Sequence, residues 1–334
     1  MSDADFLREF DQIDGVKLPE QTLQIVGHED VFATLKNQLK NNMLPNAILL
    51  HGQKGIGKAS FAFMFAKLIL SKSGNEDINL VNEQIINGAH PNLYILRKTK
   101  KDNKSFYSDI RIDEIREFKK TMQKTRGKSA KRICIIDAID DCNIKSSNAL
   151  LKILEEPPKD TLFMLISHRP GSLLPTIHSR CISYAFRALN DSHVKQIIAP
   201  YIEENEGQKI DIAIKLAKGR ARRAIEVLKL NELGLLNELQ DWLNLDQKSD
   251  FSHLSLAEKI TKAKNNEQEF AKDIIIDFIA EEAKKPNDSR VKLASTLKLW
   301  EKTKIMFDEA VEYNLDKKQT LIHIFDEIIK IKQI

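Results

Sequence analysis

The sequence has 334 residues, 42% hydrophobic and 30% charged, which exceeds one ordinary domain, excludes a chain disordered throughout and points to two or three packed units. A formal net charge of +4 permits contact with phosphate but falls far short of the balance of a nucleic-acid-packing protein. Three cysteines, Cys134, Cys142 and Cys181, without Cys-x-x-Cys spacing, exclude a disulfide framework and a zinc site.

The chain opens MSDADFLREFD, which is polar and acidic and unlike a signal peptide. No apolar run approaches the roughly 18 residues that cross a bilayer, so the expectation is a soluble, cytoplasmic protein with no membrane contact. Residues 1–24 lack periodicity and read as an N-terminal arm. From Val31 to Leu44 the residues Phe32, Leu35 and Leu39 recur at helical spacing. Ala47-Ile48-Leu49-Leu50 is a short continuous apolar run, the pattern of a strand buried on both faces. Ser60 to Ser71 predicts a helix. The stretch 72–110 is polar and irregular, with one strand-like piece, Leu93–Leu96. Ile112 to Met122 predicts a helix, Ile133–Ile136 a second buried strand, and Ser147 to Glu156 a helix closed by Pro157-Pro158. Leu162–Ile166 is a third strand, and Cys181–Phe186 alternates as an edge strand would. After Leu189 only helical periodicity remains, as in Leu293, Leu297, Trp300 and Phe307, then Leu321, Phe325 and Ile328. The fold class read from this order is an α/β parallel sheet with flanking helices over 1–187, followed by an all-α remainder. A further boundary near 240 divides that remainder into 188–240 and 241–334.

The sharpest chemical signal is Gly52-Gln53-Lys54-Gly55-Ile56-Gly57-Lys58-Ala59, between a predicted strand and a predicted helix. That context makes it a phosphate loop: glycines let backbone N–H groups converge on phosphate oxygens, the helix N-terminus adds a favourable dipole, and Lys58 reaches the outer phosphates. The residue after the lysine should carry a hydroxyl for Mg²⁺, but Ala59 stands there. Ser60 is rotated by about 100° around the helix and is a poor substitute. The run Ile133-Cys134-Ile135-Ile136 ends in Asp137, an acid able to hold Mg²⁺ through water. The next position, where a glutamate would orient the attacking water, is Ala138. Phosphate binding is therefore expected, with the loop either vacant or holding ATP without turnover; metal positioning is not favoured, and hydrolysis should be weak or absent. His168 has no neighbours spaced as metal ligands, and no metal site is expected. Two basic stretches are either solvated faces or phosphate contacts: Arg97, Lys98, Lys100, Lys101, Lys104, and Lys119, Lys120, Lys124, Arg126, Lys128, Lys131, Arg132.

Three further segments carry a family resemblance. Ser147-Asn148-Ala149-Leu150-Leu151-Lys152-Ile153-Leu154-Glu155-Glu156-Pro157-Pro158, then Leu165 to Ile177, then Ser179-Arg180-Cys181 resemble the AAA+ clamp-loader family of bacterial DNA polymerase III. The resemblance spans about 20–187 and continues more weakly beyond. Within the family the chain is more similar to the delta-prime branch than to gamma/tau. Ala59 and Ala138 break two catalytic positions, and residues 61–132 hold no cysteine, so the four-cysteine module of the gamma type is lacking. Asn314-Leu315-Asp316-Lys317-Lys318-Gln319 resembles the tail of delta-prime chains from alphaproteobacteria.

The resemblance implies an AAA+ core at 1–187, a helical lid at 188–240 and a helical collar at 241–334. It implies Arg180 as an arginine finger acting on a neighbour's nucleotide. Gly219-Arg220-Ala221-Arg222-Arg223-Ala224 would be the sensor 2 turn, with Arg222 sensing, and Ser167 or His168 would stand at the sensor 1 position. Cofactor-binding residues would be Gly52, Gly55, Gly57, Lys58, Ala59, Ser60, Asp137 and Arg222. Partners would be gamma/tau and delta subunits in a five-subunit ring, the sliding clamp, and primer–template DNA through its backbone. An active motor, either a gamma-like loader or a Holliday-junction helicase, is the alternative, and steady turnover by the isolated chain would distinguish it.

Overall fold

A computed structural model describes residues 9–102, 105–122, 131–202, 207–230, 233–245, 252–285 and 290–333. Five strands form one parallel sheet: β1 (Ala47–His51), β2 (Leu93–Leu96), β3 (Arg132–Asp137), β4 (Thr161–Ser167) and β5 (Ile182–Ala185), in the spatial order β2-β3-β4-β1-β5. Burial on both faces accounts for the unbroken apolar runs of β1, β3 and β4. Successive side chains point to opposite faces, and two cores result. Ile48, Leu50, Ile133, Ile135, Leu162, Met164 and Ile166 pack with Val31 and Leu35 of α1 (Glu29–Lys40), Phe61, Phe65 and Ile69 of α2 (Lys58–Gly74), and Val81 and Ile85 of α3 (Ile78–Ile86). Leu49, Cys134, Ile136, Phe163 and Leu165 pack with Ile115, Phe118 and Met122 of α4 (Ile112–Met122) and Leu150, Ile153 and Leu154 of α5 (Ile144–Glu155). The register Ala47↔Phe163 through His51↔Ser167 keeps like faces together.

All five strands lie where the apolar runs predict them, and β5 is a parallel edge strand. The irregular reading of 72–110 needs correction at α3. Asp77 caps this helix by accepting from Asn79 N at 2.7 Å, and Val81 and Ile85 are its buried stripe; the spacing is present in the sequence but is too short to stand out from its polar surroundings.

The described part of the arm begins at residue 9. A 3-10 turn at Pro19–Gln21 sits on α2, where buried Lys67 donates to Glu20 O at 2.7 Å and Thr22 O at 2.9 Å. Arg97 pairs with Glu20 and lies 3.6 Å from Glu9. Lys98 pairs with Asp141 at 2.8 Å and lies over the Phe10 ring. The first two residues of the first basic stretch thus tie down the arm rather than face solvent. In the second stretch Lys119 and Lys120 are exposed and Arg132 is buried; Lys104, Lys124, Arg126 and Lys128 lie outside the described residues.

Beyond β5 the described residues carry helices only. α6 (Pro175–His178) precedes that strand, and α7 (Asp191–Ile198), α8 (Gly207–Ala217), α9 (Ala221–Leu228), α10 (Leu233–Asn244), α11 (Ser252–Lys262), α12 (Asn265–Glu282), α13 (Arg290–Glu312) and α14 (Lys317–Gln333) follow it. Two compact units result: Met1–Glu204 with Ala217–Glu226, and Asn205–Leu216 with Val227–Ile334. The second is a helical bundle in which Leu239, Leu256, Ile275, Ile324 and Phe325 are buried. The Trp242 ring lies 4.7 Å from that of Phe325. No described helix is long and apolar enough to cross a membrane.

Phe163 fills the α4–α5 side of the sheet, edge-on to Phe118 at 6.3 Å and fully buried. Phe163→Ala should cost about 3–5 kcal/mol, read as a lowered denaturant midpoint of the sheet-bearing unit; a loss below 1 kcal/mol would contradict this packing.

Candidate functional site: a phosphate loop and a distant arginine

The loop leaves β1 at its carboxyl end. Gly52 N donates to Ser167 O at 3.2 Å, and Phe186 N donates to His51 O at 2.7 Å. Gly52 has φ +148°, and a Cβ there would stand 2.3 Å from Phe186 O, so no side chain fits. Gly57 has φ +99° with open space where a Cβ would point; the backbone conformation, not crowding, requires glycine there. Lys58, the first residue of α2, is 3% exposed, and its Nζ donates to Gly52 O at 2.7 Å and Gln53 O at 2.6 Å. Burial pushes its ammonium down to about 8, with Lys54 adding to the push and the carboxylates of Asp137 and Asp140 opposing it. His28 braces the loop from α1. Its Nε2 lies 3.0 Å from Ile56 O, and since a carbonyl only accepts, that nitrogen carries the hydrogen. Burial holds His28 below its ordinary value, consistent with a neutral ring tilted against Phe186 at 4.4 Å.

Asp137 ends β3, two strands from the loop, because β4 intervenes. Burial pushes its carboxyl up to about 6; Arg97 and Lys58 pull it down, Glu20 and Asp11 push it further up. Ala138 is buried, and Ala59 packs its methyl against the α2 side of the core. Asp140, which follows on a short 3-10 turn, is committed elsewhere. Its carboxylate accepts from Ser167 Oγ at 2.9 Å, His168 N at 2.6 Å and Arg169 N at 3.1 Å. It therefore locks the end of β4 and does not stand in for the missing glutamate. Of the two sensor 1 candidates, Ser167 is tied to Asp140. His168 is pushed down to about 4 by burial and Lys58, and its Nδ1 is buried without a partner.

Arg222 comes to the loop from α9. Its backbone N donates to Gly55 O at 3.1 Å, and a Cβ on Gly55 would lie 2.9 Å from Arg222 Cβ. Gly219 makes the approach possible: at φ +76° it sits where a Cβ would stand 2.5 Å from Leu189 O. The Arg222 guanidinium pairs with Glu226 at 2.8 Å and with Asp11 at 3.3 Å, and Asp11 also pairs with Lys54 at 2.7 Å.

Gly52, Gly55, Gly57, Lys58, Asp137 and Arg222 are thus brought together, with Ala59 and Ser60 on the first turn of α2. A phosphate chain fits this loop: a buried ammonium whose partners are neutral carbonyls, glycines shaped for close approach, and the N-terminus of a 17-residue helix. Ala59 and Ala138 offer no side-chain oxygen to a Mg²⁺ beside that phosphate chain, and Asp140 is engaged with three donors, which leaves Asp137 as the acid at the end of β3 that would face the ion. Asp11, His28, Asp140 and Glu226 were not legible as site residues. Asp11 belongs to an aperiodic arm, and the others gain meaning only from the turns that aim them.

Arg180 lies apart from this cluster. It follows α6 and precedes β5, at the amino end of the sheet. Its Nη1 donates to Thr176 O at 2.9 Å and Ser179 Oγ at 3.3 Å, and Nη2 to Glu155 Oε1 at 2.6 Å. It borders an open cleft of about 620 Å³ with Pro45, Asn46, Glu155, Pro157 and Ile182. Ile182 is in register with Ile48, so about 10 Å of strand separates that level from His51, with the phosphate loop beyond.

A phosphate loop on β1, an acid ending β3 and a β4 inserted between them define a P-loop α/β domain of the AAA+ kind. The family model described as DNA polymerase III, delta subunit, matches residues 27–190. The chain is 31% identical over 216 residues to the DNA polymerase III subunit delta' of Bacillus subtilis, covering 61% of this chain and 64% of the relative. It is 33% identical over 144 residues to that of Pseudomonas aeruginosa, 42% of each. A tau/gamma subunit from Haemophilus influenzae is 29% identical over 64% of this chain and 31% of its own length. The chain thus spans less than two thirds of the length of these relatives.

Two outcomes follow from the acidic groups. Asp140→Ala leaves two N–H groups and a hydroxyl without their acceptor and should destabilise the sheet-bearing unit by about 2–4 kcal/mol, whereas Asp140→Asn recovers part of that; equal midpoints for all three proteins would refute the tie. Asp137 has a folded value of about 6 against an ordinary 3.8. The native state then holds the proton more tightly than the unfolded chain, so its contribution is full below about pH 4 and is lost as pH rises through 6, a change of about 3 kcal/mol. Asp137→Asn should remove this slope. Parallel stability–pH curves for the two proteins between pH 4 and 7 would contradict it.

Proposed function

We propose that this chain is the delta-prime-type subunit of a bacterial DNA polymerase III clamp loader, and that it serves a neighbour's ATPase chemistry rather than its own. The observation that carries this is the separation of the two functional poles. Arg180 stands at the amino end of the sheet and the phosphate loop at the carboxyl end, so Arg180 is out of reach of its own nucleotide. A guanidinium near a γ-phosphate stabilises charge in the transition state, and only a nucleotide on another chain can meet this one. In the resting chain Glu155 and Thr176 hold the guanidinium at the cleft edge, oriented but partly exposed.

In this reading the loop takes ATP through Gly52, Gly55, Gly57, Lys58 and Arg222 and does not turn it over, since Ala59 and Ala138 supply no oxygen for metal or water. Residues 188–240 act as the lid and 241–334 as the collar within a ring that includes gamma/tau and delta subunits. The ring opens the sliding clamp and loads it on primer–template DNA, and any contact of this chain with that DNA is to backbone phosphates. The work is cytoplasmic.

The test is a loader reconstituted with Arg180→Ala. Assembly should be intact by gel filtration and the isolated chain should lose less than about 1 kcal/mol of stability, while turnover at saturating clamp and primed DNA falls several-fold. Unchanged turnover would overturn the finger role. Steady hydrolysis by the isolated wild-type chain, abolished by Lys58→Ala, would overturn the non-hydrolysing role and favour a motor subunit.

A further inference from the structure

The phosphate loop is not open to its ligand as it stands. Asp11, from the N-terminal arm, reaches across to pair with Lys54 of the loop at 2.7 Å and with Arg222 at 3.3 Å. Arg222 is held from its other side by Glu226 at 2.8 Å. Two cations that would meet a polyphosphate, Lys54 and Arg222, are therefore matched by the carboxylates of Asp11 and Glu226. Asp11 is felt across the site, raising both Asp137 and Glu226 after the larger effects of burial.

The arm is built to hold this position. Asp11 adopts φ +74°, a left-handed conformation, within a turn in which Gln12 N donates to Glu9 O at 3.1 Å and Glu9 N to Gln12 Oε1 at 3.2 Å. On one side Phe10 packs edge-on to Phe106 at 5.5 Å, with Lys98 over its ring at 4.3 Å. On the other, Val16 N donates to Ile13 O at 3.1 Å, and the chain then enters the turn anchored by Lys67. The segment from Asp11 to Val16 is a strap fastened at both ends, and Asp11 pairs with the loop through Lys54 and with Arg222.

We propose that this strap is a built-in competitor: the Asp11 carboxylate occupies Lys54 and Arg222 in place of a phosphate, and a nucleotide enters only by displacing it. The proposal rests on the phosphate-loop reading above. It makes occupancy a contest between two anions for the same two cations, and it couples a filled loop to a released arm. The contacts are partly exposed, with Asp11 at 35% and Lys54 at 51%, so they are weak enough for a polyphosphate to displace and should weaken with salt.

The test uses the full chain and ATP without metal. Asparagine keeps the shape of Asp11 and tolerates its left-handed backbone, so Asp11→Asn removes the charge alone. Equilibrium binding should tighten about tenfold in Asp11→Asn at low ionic strength, the gap closing as salt rises. Hydrogen exchange at the amides of Gln12 and Val16 in the wild type should accelerate on saturation with ATP. Equal or weaker binding by Asp11→Asn, or arm amides that gain protection with ATP, would overturn the strap and leave the phosphate loop standing. ATP binding by both proteins that Lys58→Ala does not weaken, or no binding by either, would overturn the phosphate-loop reading itself, and the strap with it.

Discussion

The parallel pairing of β1 with β4 on one side and β5 on the other is the constraint from which the rest of the sheet-bearing unit follows. Because all three strands run the same way, every loop that leaves a strand's carboxyl end gathers at one pole, and every segment that enters a strand lies at the other. The phosphate loop, Asp137, Asp140 and Ser167 are therefore neighbours although more than a hundred residues separate the first from the last. Arg180, which enters β5, is placed at the far pole by the same rule. Burial of both faces makes the arrangement rigid, since a slip of one residue would exchange the Ile48–Leu50 set with the Ala47–Leu49 set and place each in the wrong core.

Most of this frame was legible in the chain. Unbroken apolar runs name β1, β3 and β4 because only strands covered on both faces can afford them, and glycine spacing between a strand and a helix names the loop. What escaped was of two kinds. Helix α3 escaped because its stripe is two buried residues long. The groups that tune the site escaped because nothing local marks them: Asp140 resembles any acid in a turn until three donors converge on it, and His28 resembles a surface histidine until Ile56 O is brought to it by a distant loop. Arg97 and Lys98 were read among a run of like charges, and charge runs carry no sign of which members find acids in a distant arm.

Electrostatic balance is the second theme. The loop's cations are not idle in the absence of phosphate. Lys58 is satisfied by two carbonyls of its own loop, Arg222 by Glu226 and Asp11, and Lys54 by Asp11. This lets a site built for polyanions remain stable without one. The affinity of such a site is the difference between two sets of ionic contacts, so it is governed as much by the arm as by the glycines.

Lys67 gives the arm a structural weight beyond that contest. Its ammonium lies buried at the side of α2, and its acceptors are main-chain carbonyls of Glu20 and Thr22. A version of the chain trimmed before about residue 23 would strand that charge inside the protein with no oxygen to receive it. Boundaries drawn from sequence conservation of the nucleotide motifs alone would make that cut, and the product would be prone to aggregate even though every motif was retained. The apparent tail is thus part of the core, and proteases that nick it should unfasten the sheet-bearing unit as well as bare the loop.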